Sequence, residues 1–283
     1  CNLPPNMENP LKAELRKSIQ DKQIVLFAGT GVTAQATGNA PCATWKSLLE
    51  HGIDWCESHM PPIENWVKTT KIFLDSNDAD GWVLAAKKIT DRLTENRKFT
   101  GDYKKWLEVS IGGLSIKNPG ILDAIKQLGA PVVTTNYDGL ISEYIGTSYF
   151  TWKDQDELHA FLRGETSSIF HLHGHYKNHE SVVFDFDSYG EVRRNEFVDV
   201  FRQSIALRPI LFIGFGAGLD DDHFQQWKRW MSIILPDLKD SGHYLLVRES
   251  ELKDAWKHFQ DGKIRPISYG ENYDDLVPFL QSL

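Results

Sequence analysis

Three histidines alternate in His171-Leu172-His173-Gly174-His175. Imidazole is the side chain whose ordinary pKa lies nearest neutrality, so it can take or give a proton under physiological conditions. A spacing of two puts the three rings on one face if the strand they end continues. Two other uses stay open, a shared cation and ordinary strand-edge histidines. No acid or cysteine stands at obvious ligand spacing, so no metal, and no zinc in particular, is expected. A second group is Thr134-Thr135-Asn136-Tyr137-Asp138. An amide both donates and accepts, so Asn136 can orient a hydroxyl or a water. Asp138 fits a ligand-facing role and, equally, the cap of the next helix.

Two glycine-rich turns complete the set. Gly29-Thr30-Gly31-Val32-Thr33-Ala34 follows an apolar run that ends at Ala28. Two close glycines and a small residue three positions on fit the dinucleotide pattern, in which the backbone turns tightly and free N–H groups meet a pyrophosphate. The acidic residue expected about 20 positions on is missing from a second strand; Glu50 has the spacing but falls in a predicted helix. The helix expected directly after the glycines reads as delayed by the loop Gly38–Pro41. A plain strand–loop turn therefore stays open. Gly214-Phe215-Gly216-Ala217-Gly218 ends another apolar run and leads into Asp220-Asp221-Asp222. Three carboxylates would repel a phosphate, so the glycines suit close approach to a ribose or base, with the acids turned away. An Asp-capped helix start is the alternative.

The elements that must position these residues read as strands alternating with helices. Short apolar runs at Gln23–Ala28, Pro131–Thr134, Ser168–Leu172, Pro209–Gly214, His243–Val247 and Ile264–Ser268 have the character of strands buried on both faces. Helical periodicity marks Leu11–Ile19, Trp45–His59, Gly81–Thr94, Tyr103–Val109, Asn118–Leu128 and Asp138–Tyr144. It returns at Arg194–Ala206, His223–Leu235, Glu251–Phe259 and Tyr273–Leu280. The expectation is a Rossmann-like α/β domain over 8–283, with a parallel sheet of about six strands flanked by helices. Residues 45–118 read as a helical insertion after the first strand, too long for a simple crossover. Trp45, Trp55, Trp66, Trp82 and Trp106 fall inside it, which suggests a compact aromatic core or an interface.

Bulk properties narrow the function classes. A net charge of -8 gives no general pull toward phosphate backbones or anionic lipid, so no direct nucleic-acid or membrane binding is expected. The three cysteines form no CxxC pair, which excludes a zinc ribbon and suits a reducing compartment. No stretch has the length and apolarity of a membrane span, and the first residues do not read as a signal peptide. A cytoplasmic location is the expectation.

The order of the four motifs, each at a strand end, resembles the sirtuin family. Gly29-Thr30-Gly31-Val32-Thr33 is similar to its first glycine loop, and Thr134-Thr135-Asn136-Tyr137-Asp138 to its Asn-Asp motif. Leu172-His173-Gly174 is similar to its His-Gly motif, and Gly214-Phe215-Gly216 to its late glycine turn. The segment Pro41-Cys42-Ala43-Thr44-Trp45-Lys46-Ser47-Leu48 is similar to a stretch of the divergent bacterial branch. That resemblance implies NAD as the substrate, with Asn136 and His173 in the catalytic positions. Asp138 would hold the nicotinamide end, and Ala28, Gly29, Thr30, Gly31, Thr33, Thr135, Gly214, Phe215 and Gly216 would line the cofactor. The four-cysteine zinc module of the deacylases is absent, as is their cofactor loop. The zinc-free branch is similar to NAD hydrolases of bacterial anti-phage defence. It implies release of nicotinamide and ADP-ribose by a regulated, homo-oligomeric effector, joined to or assembled with a sensor or an ATPase. A deacylase or ADP-ribosyltransferase is a second reading, and a non-catalytic NAD- or ADP-ribose-sensing module a third.

Overall fold

The computed structural model describes residues 10–76, 79–94, 102–205, 207–215, 242–259 and 263–283. It opens with α1 (Pro10–Gln20), β1 (Val25–Ala28) and α2 (Thr30–Thr37). Four helices follow, α3 (Trp45–His59), α4 (Trp66–Asp75), α5 (Ala79–Thr94) and α6 (Asp102–Ser110). Then come α7 (Gly120–Leu128), β2 (Val132–Thr134), α8 (Leu140–Ile145), β3 (Tyr149–Thr151), α9 (Gln155–Leu162) and β4 (Ile169–His171). The remainder is α10 (Phe186–Arg193), α11 (Glu196–Ile205), β5 (Ile210–Ile213), β6 (His243–Val247), α12 (Glu249–His258) and β7 (Ile264–Ser268). A 3-10 turn (Tyr273–Asp275) and α13 (Leu276–Gln281) close the chain.

The strands form one seven-stranded sheet in the order β3-β4-β2-β1-β5-β6-β7. All neighbours pair in parallel, with Leu26 beside Val132 on one side and beside Leu211 on the other. The continuous apolar runs are explained by what lies on each face. Along β1, Val25 and Phe27 enter one buried cluster while Leu26 and Ala28 enter the other. Successive side chains of a strand point to opposite faces, so a strand covered on both faces must be apolar at every position. The Val25–Phe27 face packs on α9, α10, α11 and α12, through residues such as Leu158, Val192, Phe201 and Ala255. The Leu26–Ala28 face packs on α1, α2, α7 and α13, through Leu15, Val32, Ile125 and Leu280.

The doubly wound α/β architecture expected from the sequence is present, with one more strand than anticipated. The extra strand, β3, has only three residues, too few to display a period. Four helices also went unread. One of them, α2, overturns the expectation of a delayed helix: it begins at Thr30, directly behind Gly29, and ends at Gly38 in the left-handed conformation. Its apolar positions are small (Val32, Ala36), so its pattern is weak. The others are α4, α9 and α10. Arg194–Ala206 begins two residues later than read and is preceded by the separate helix α10. The expected helix His223–Leu235 lies outside the described residues.

Helices α3 to α6 build a third cluster around Trp45, Leu49, Ile53, Trp82, Ile89 and Trp106. It joins the sheet through Tyr137, Val182 and Phe184 from the loops after β2 and β4. Phe184 sits edge-on to Trp106 at 5.4 Å and to Trp45 at 6.2 Å between ring centroids. Trp45 is fixed as the first residue of α3 by a reciprocal cap: Thr44 Oγ1 accepts from the Ser47 N–H, and Ser47 Oγ from the Thr44 N–H.

Candidate active site

In a parallel sheet all carboxyl ends share one edge, and the turns leaving them converge there. Thr134 Oγ1 donates to the Ala28 carbonyl at 2.9 Å and accepts from the Asn136 N–H at 3.0 Å, which ties the turn after β2 to the end of β1. From there the Asn136 amide reaches across. Its Nδ2 donates to the Gly29 carbonyl and to Thr33 Oγ1, both at 2.9 Å. Thr33 Oγ1 in turn donates to Asp138 Oδ2 at 2.6 Å, while Asp138 Oδ1 accepts from the Leu140 N–H at 3.0 Å. Asp138 thus caps α8 and anchors the network at once.

This network fixes which way the amide points. A carbonyl oxygen can only accept, so the Asn136 atom beside Gly29 O must be the nitrogen. The oxygen is left over. Asn136 is 4% exposed, and its Oδ1 is buried with no hydrogen-bond partner. Asp138 is buried too; burial pushes its carboxyl above the usual range, although the bonds from Thr33 and Leu140 pull it back.

The three histidines divide. Strand β4 stops at His171, and Gly174 turns the chain with φ of 85°. A Cβ at Gly174 would stand 2.1 Å from the Ser181 carbonyl oxygen, so the turn needs glycine. The rings therefore do not share one face. His171 and His175 pack together at 4.8 Å, with Tyr149 stacked on His175 at 3.8 Å. His171 Nδ1 lies 2.9 Å from the Asn136 carbonyl, so it donates and holds the turn from behind. His175 Nδ1 accepts from the Lys177 N–H, which leaves the proton of its neutral form on Nε2, the wrong tautomer for a cation on that atom. Among the described residues no group of three or more His, Cys, Asp or Glu side chains could hold a metal ion. His173 points elsewhere, edge-on to Tyr189 at 5.4 Å, with its carbonyl accepting from the Val183 N–H at 2.8 Å. Burial pushes all three rings down, His171 to about 4, His173 to about 3 and His175 to about 2.

The glycine turns pack on each other. The Gly31 N–H donates to the Gly214 carbonyl at 2.9 Å, and a Cβ on Gly31 would stand 2.8 Å from Gly214 Cα. The glycines here serve close approach of backbone to backbone. The Gly31 N–H is not available to a pyrophosphate, contrary to the sequence-based expectation for that group.

A cavity of about 500 Å³ opens above these turns, within the range of roughly 300–1,000 Å³ typical of small-molecule sites. Of the residues singled out from the sequence, Thr30, Gly31, Thr33, Thr135, Asn136, Asp138, His173, Gly214 and Phe215 line it together. Ala28 and Gly29 stand behind the wall, Ala28 inside β1 and Gly29 as an acceptor for Asn136. Gly216 lies outside the described residues. The cavity runs from His173, after β4, to Tyr269, after β7. At roughly 4.8 Å per strand that is about 24 Å along the sheet edge, enough for a ligand with two well-separated ends. It passes over β1, whose neighbours β2 and β5 belong to opposite directions of chain winding. Ligands collect at such switch points.

Sequence reasoning missed the rest of the lining. Trp45, Leu48 and Ile111 come from the helical cluster, Tyr189 from α10, and Tyr269, Tyr273 and Asp274 from the chain after β7. Among the described residues the lining contains no Lys or Arg. Anionic groups must therefore be met by hydroxyls, amides and the positive end of α2.

Residues 131–267 match the SIR2-like domain family. Over those residues the chain is similar to SIR2-like domains. The match runs from β2 to β7 and takes in the Asn136 and His173 turns. SIR2-like domains bind NAD, within a family of NAD-dependent enzymes. The glycine turn after β1 precedes the matched span, yet it is bonded directly to Asn136 and Gly214 inside it. No helix among the described residues is long and apolar enough to cross a membrane.

Proposed function

We propose that this SIR2-like domain binds NAD in the cavity and hydrolyses the bond between nicotinamide and ribose, releasing nicotinamide and ADP-ribose. The observation that carries this reading is the buried Asn136 Oδ1, locked in orientation and unpartnered, in the same cavity as His173. Nicotinamide leaves NAD as a neutral molecule because its ring nitrogen already carries positive charge, so no acid is needed to expel it. As the bond breaks, positive charge develops on the ribose. A fixed amide oxygen is a preorganised dipole for a ribose hydroxyl or for the attacking water. His173, held at about 3 by burial, is neutral at physiological pH. A neutral imidazole accepts a hydrogen bond from that hydroxyl or water without repelling the developing cation. Its low pKa makes it a weaker base than an ordinary histidine, so its contribution is acceptance and orientation more than strong proton abstraction. The cavity suits the substrate in three respects: size, extent along the sheet edge, and the positive end of α2 near its middle.

Uncontrolled NAD hydrolysis would deplete the cell that makes the enzyme. A regulated, oligomeric role in bacterial anti-phage defence, implied by the resemblance, belongs to the same reading. The test is incubation with NAD at low and high protein concentration, with products identified by mass. Free ADP-ribose and nicotinamide without any protein acceptor are expected. Asn136→Ala and His173→Ala should each lower NAD loss by about 10²-fold or more while the far-ultraviolet spectrum stays unchanged. Adduct on protein in place of free ADP-ribose would select transfer to an acceptor, and binding without any turnover would select a sensor.

A further inference from the structure

The cavity lining contains a second polar atom with nothing to bind. Trp45 is 9% exposed and lines the cavity, and its Nε1 is buried without a hydrogen-bond partner. Three other buried indoles, of Trp82, Trp106 and Trp152, do not share this condition. Trp82 Nε1 donates to the Leu74 carbonyl at 2.8 Å, Trp106 Nε1 to His51 Nδ1 at 3.0 Å, and Trp152 Nε1 to the Ser181 carbonyl at 2.7 Å. Indole N–H can only donate, and buried Trp side chains usually find an acceptor. Trp45 cannot swing to find one. The cap at Thr44 fixes its backbone, and Trp82 and Phe184 pack its ring at 5.9 and 6.2 Å. The open space beside it is the cavity.

The surroundings state what kind of group belongs there. Cys42, Leu48, Ile111 and Tyr137 share the wall and the same buried cluster as Trp45. That wall is apolar and partly aromatic, and burial holds the Cys42 thiol up at about 11, so it brings no charge. A phosphate would lose its hydration there and gain nothing. A flat aromatic ring carrying one carbonyl acceptor would fill the space, lie against the aromatic side chains and satisfy the donor. Tyr137 places this wall next in sequence to Asn136 and hence beside the bond proposed to break.

We propose that the Trp45 Nε1–H donates to the carboxamide oxygen of the nicotinamide ring and is a specificity-determining contact for the leaving group. This rests on the reading of NAD as the substrate. It gives the helical segment a direct part in ligand recognition, beyond covering the sheet.

The test pairs Trp45→Phe with a thioamide analogue of NAD, in which sulfur, a weaker acceptor, replaces the carboxamide oxygen. Affinities are measured by calorimetry on ice, with ADP-ribose as the ligand that lacks the ring and Trp55→Phe as the control. Trp55 Nε1 is equally unpartnered but its residue does not line the cavity. The expected result is a loss of about tenfold or more in NAD affinity for Trp45→Phe, none for Trp55→Phe, and unchanged ADP-ribose affinity. The parent should discriminate against the thioamide and Trp45→Phe should not, because the two changes remove the same bond. Equal loss of NAD and ADP-ribose affinity would mean that Trp45 only shapes the cavity, and would overturn the assignment. So would a Trp45→Phe variant that binds NAD like the parent or still discriminates against sulfur. A parent protein that binds no NAD would instead end the reading of the substrate itself.

Discussion

On the sheet side of the cavity, Asn136, Thr33 and Asp138 hold one another through hydrogen bonds of 2.6 to 2.9 Å. On the helical side, Trp45 is held by ring packing and leaves its one polar atom unpaired. The sheet side is built from backbone turns that nearly touch, with Gly31, Gly214 and Gly174 where no Cβ fits. The helical side is built from large side chains packed on one another. The difference teaches where rigidity is required. On the proposed reading, the atoms that face the reacting bond are fixed by the backbone, whereas the wall that takes the flat ring is made of side chains.

Glycine substitutions break this comparison most directly. Gly174→Ala would put a Cβ 2.1 Å from a backbone oxygen at a positive φ, and Gly31→Ala one 2.8 Å from the Gly214 Cα. Both neighbours are backbone atoms, so losses above about 3 kcal/mol are expected for Gly174→Ala, somewhat less for Gly31→Ala. Gly52, inside α3, is the counterpart. Its Cβ would meet only side chains, Trp106 at 3.0 Å and Ile89 at 3.1 Å. The gain in helix propensity of roughly 1 kcal/mol offsets that crowding, so Gly52→Ala should lie near zero. Urea unfolding of the three variants checks this order, and a Gly52→Ala loss as large as that of Gly31→Ala would erase the distinction.

The same contrast sets how much of the molecule was readable in advance. Strand runs such as Ile210–Ile213 and His243–Val247 were legible because a strand buried on both faces must be apolar throughout. Asn136 and His173 could be singled out because they stand at strand ends within the motifs that carry the resemblance, and both line the cavity. The amide direction of Asn136, the pairing of Gly31 with Gly214 and the division of the three histidines were not legible. Each depends on where a neighbouring turn sits, which no local period encodes. Trp45 was read as one of five tryptophans of a compact core or an interface. Only the positions of Trp82, Trp106 and the cavity separate it from the others.

Acid offers a second way to sharpen the comparison. His171, His173, His175 and His243 are each at most 7% exposed, and burial holds their pKa values at about 4, 3, 2 and 4. All four belong to the sheet and its turns. In the unfolded chain these rings titrate near 6.5, so between pH 6.5 and about 4 the unfolded state binds more protons than the native state. The stability of the native state is therefore nearly full above pH 7 and lost as pH falls, by about 0.7 kcal/mol per ring between pH 7 and 6. Urea midpoints across that interval measure the sum. NAD loss per folded molecule should stay level over the same interval, because His173 remains neutral. An acid limb centred near 6.5 in the rate would mean that His173 titrates as an exposed ring does, and the orientation role given to it would fail.

Thr33→Val is the smallest and most discriminating change. Valine has the shape of threonine, so packing under α2 is kept, but Asn136 Nδ2 and Asp138 Oδ2 each lose a partner. Leaving buried polar atoms short by one bond costs about 1 to 2 kcal/mol, which thermal unfolding would read. The Asn136 amide keeps its bond to the Gly29 carbonyl, so its oxygen still faces the cavity, held at one point where there were two. Activity should fall by about tenfold, far less than for Asn136→Ala, with kcat carrying the change and KM nearly constant, since the bond lost orients the reacting end and touches no ligand. A variant destabilised as expected yet fully active would show that Thr33 serves the fold alone, and that the Gly29 carbonyl by itself is enough to aim the amide.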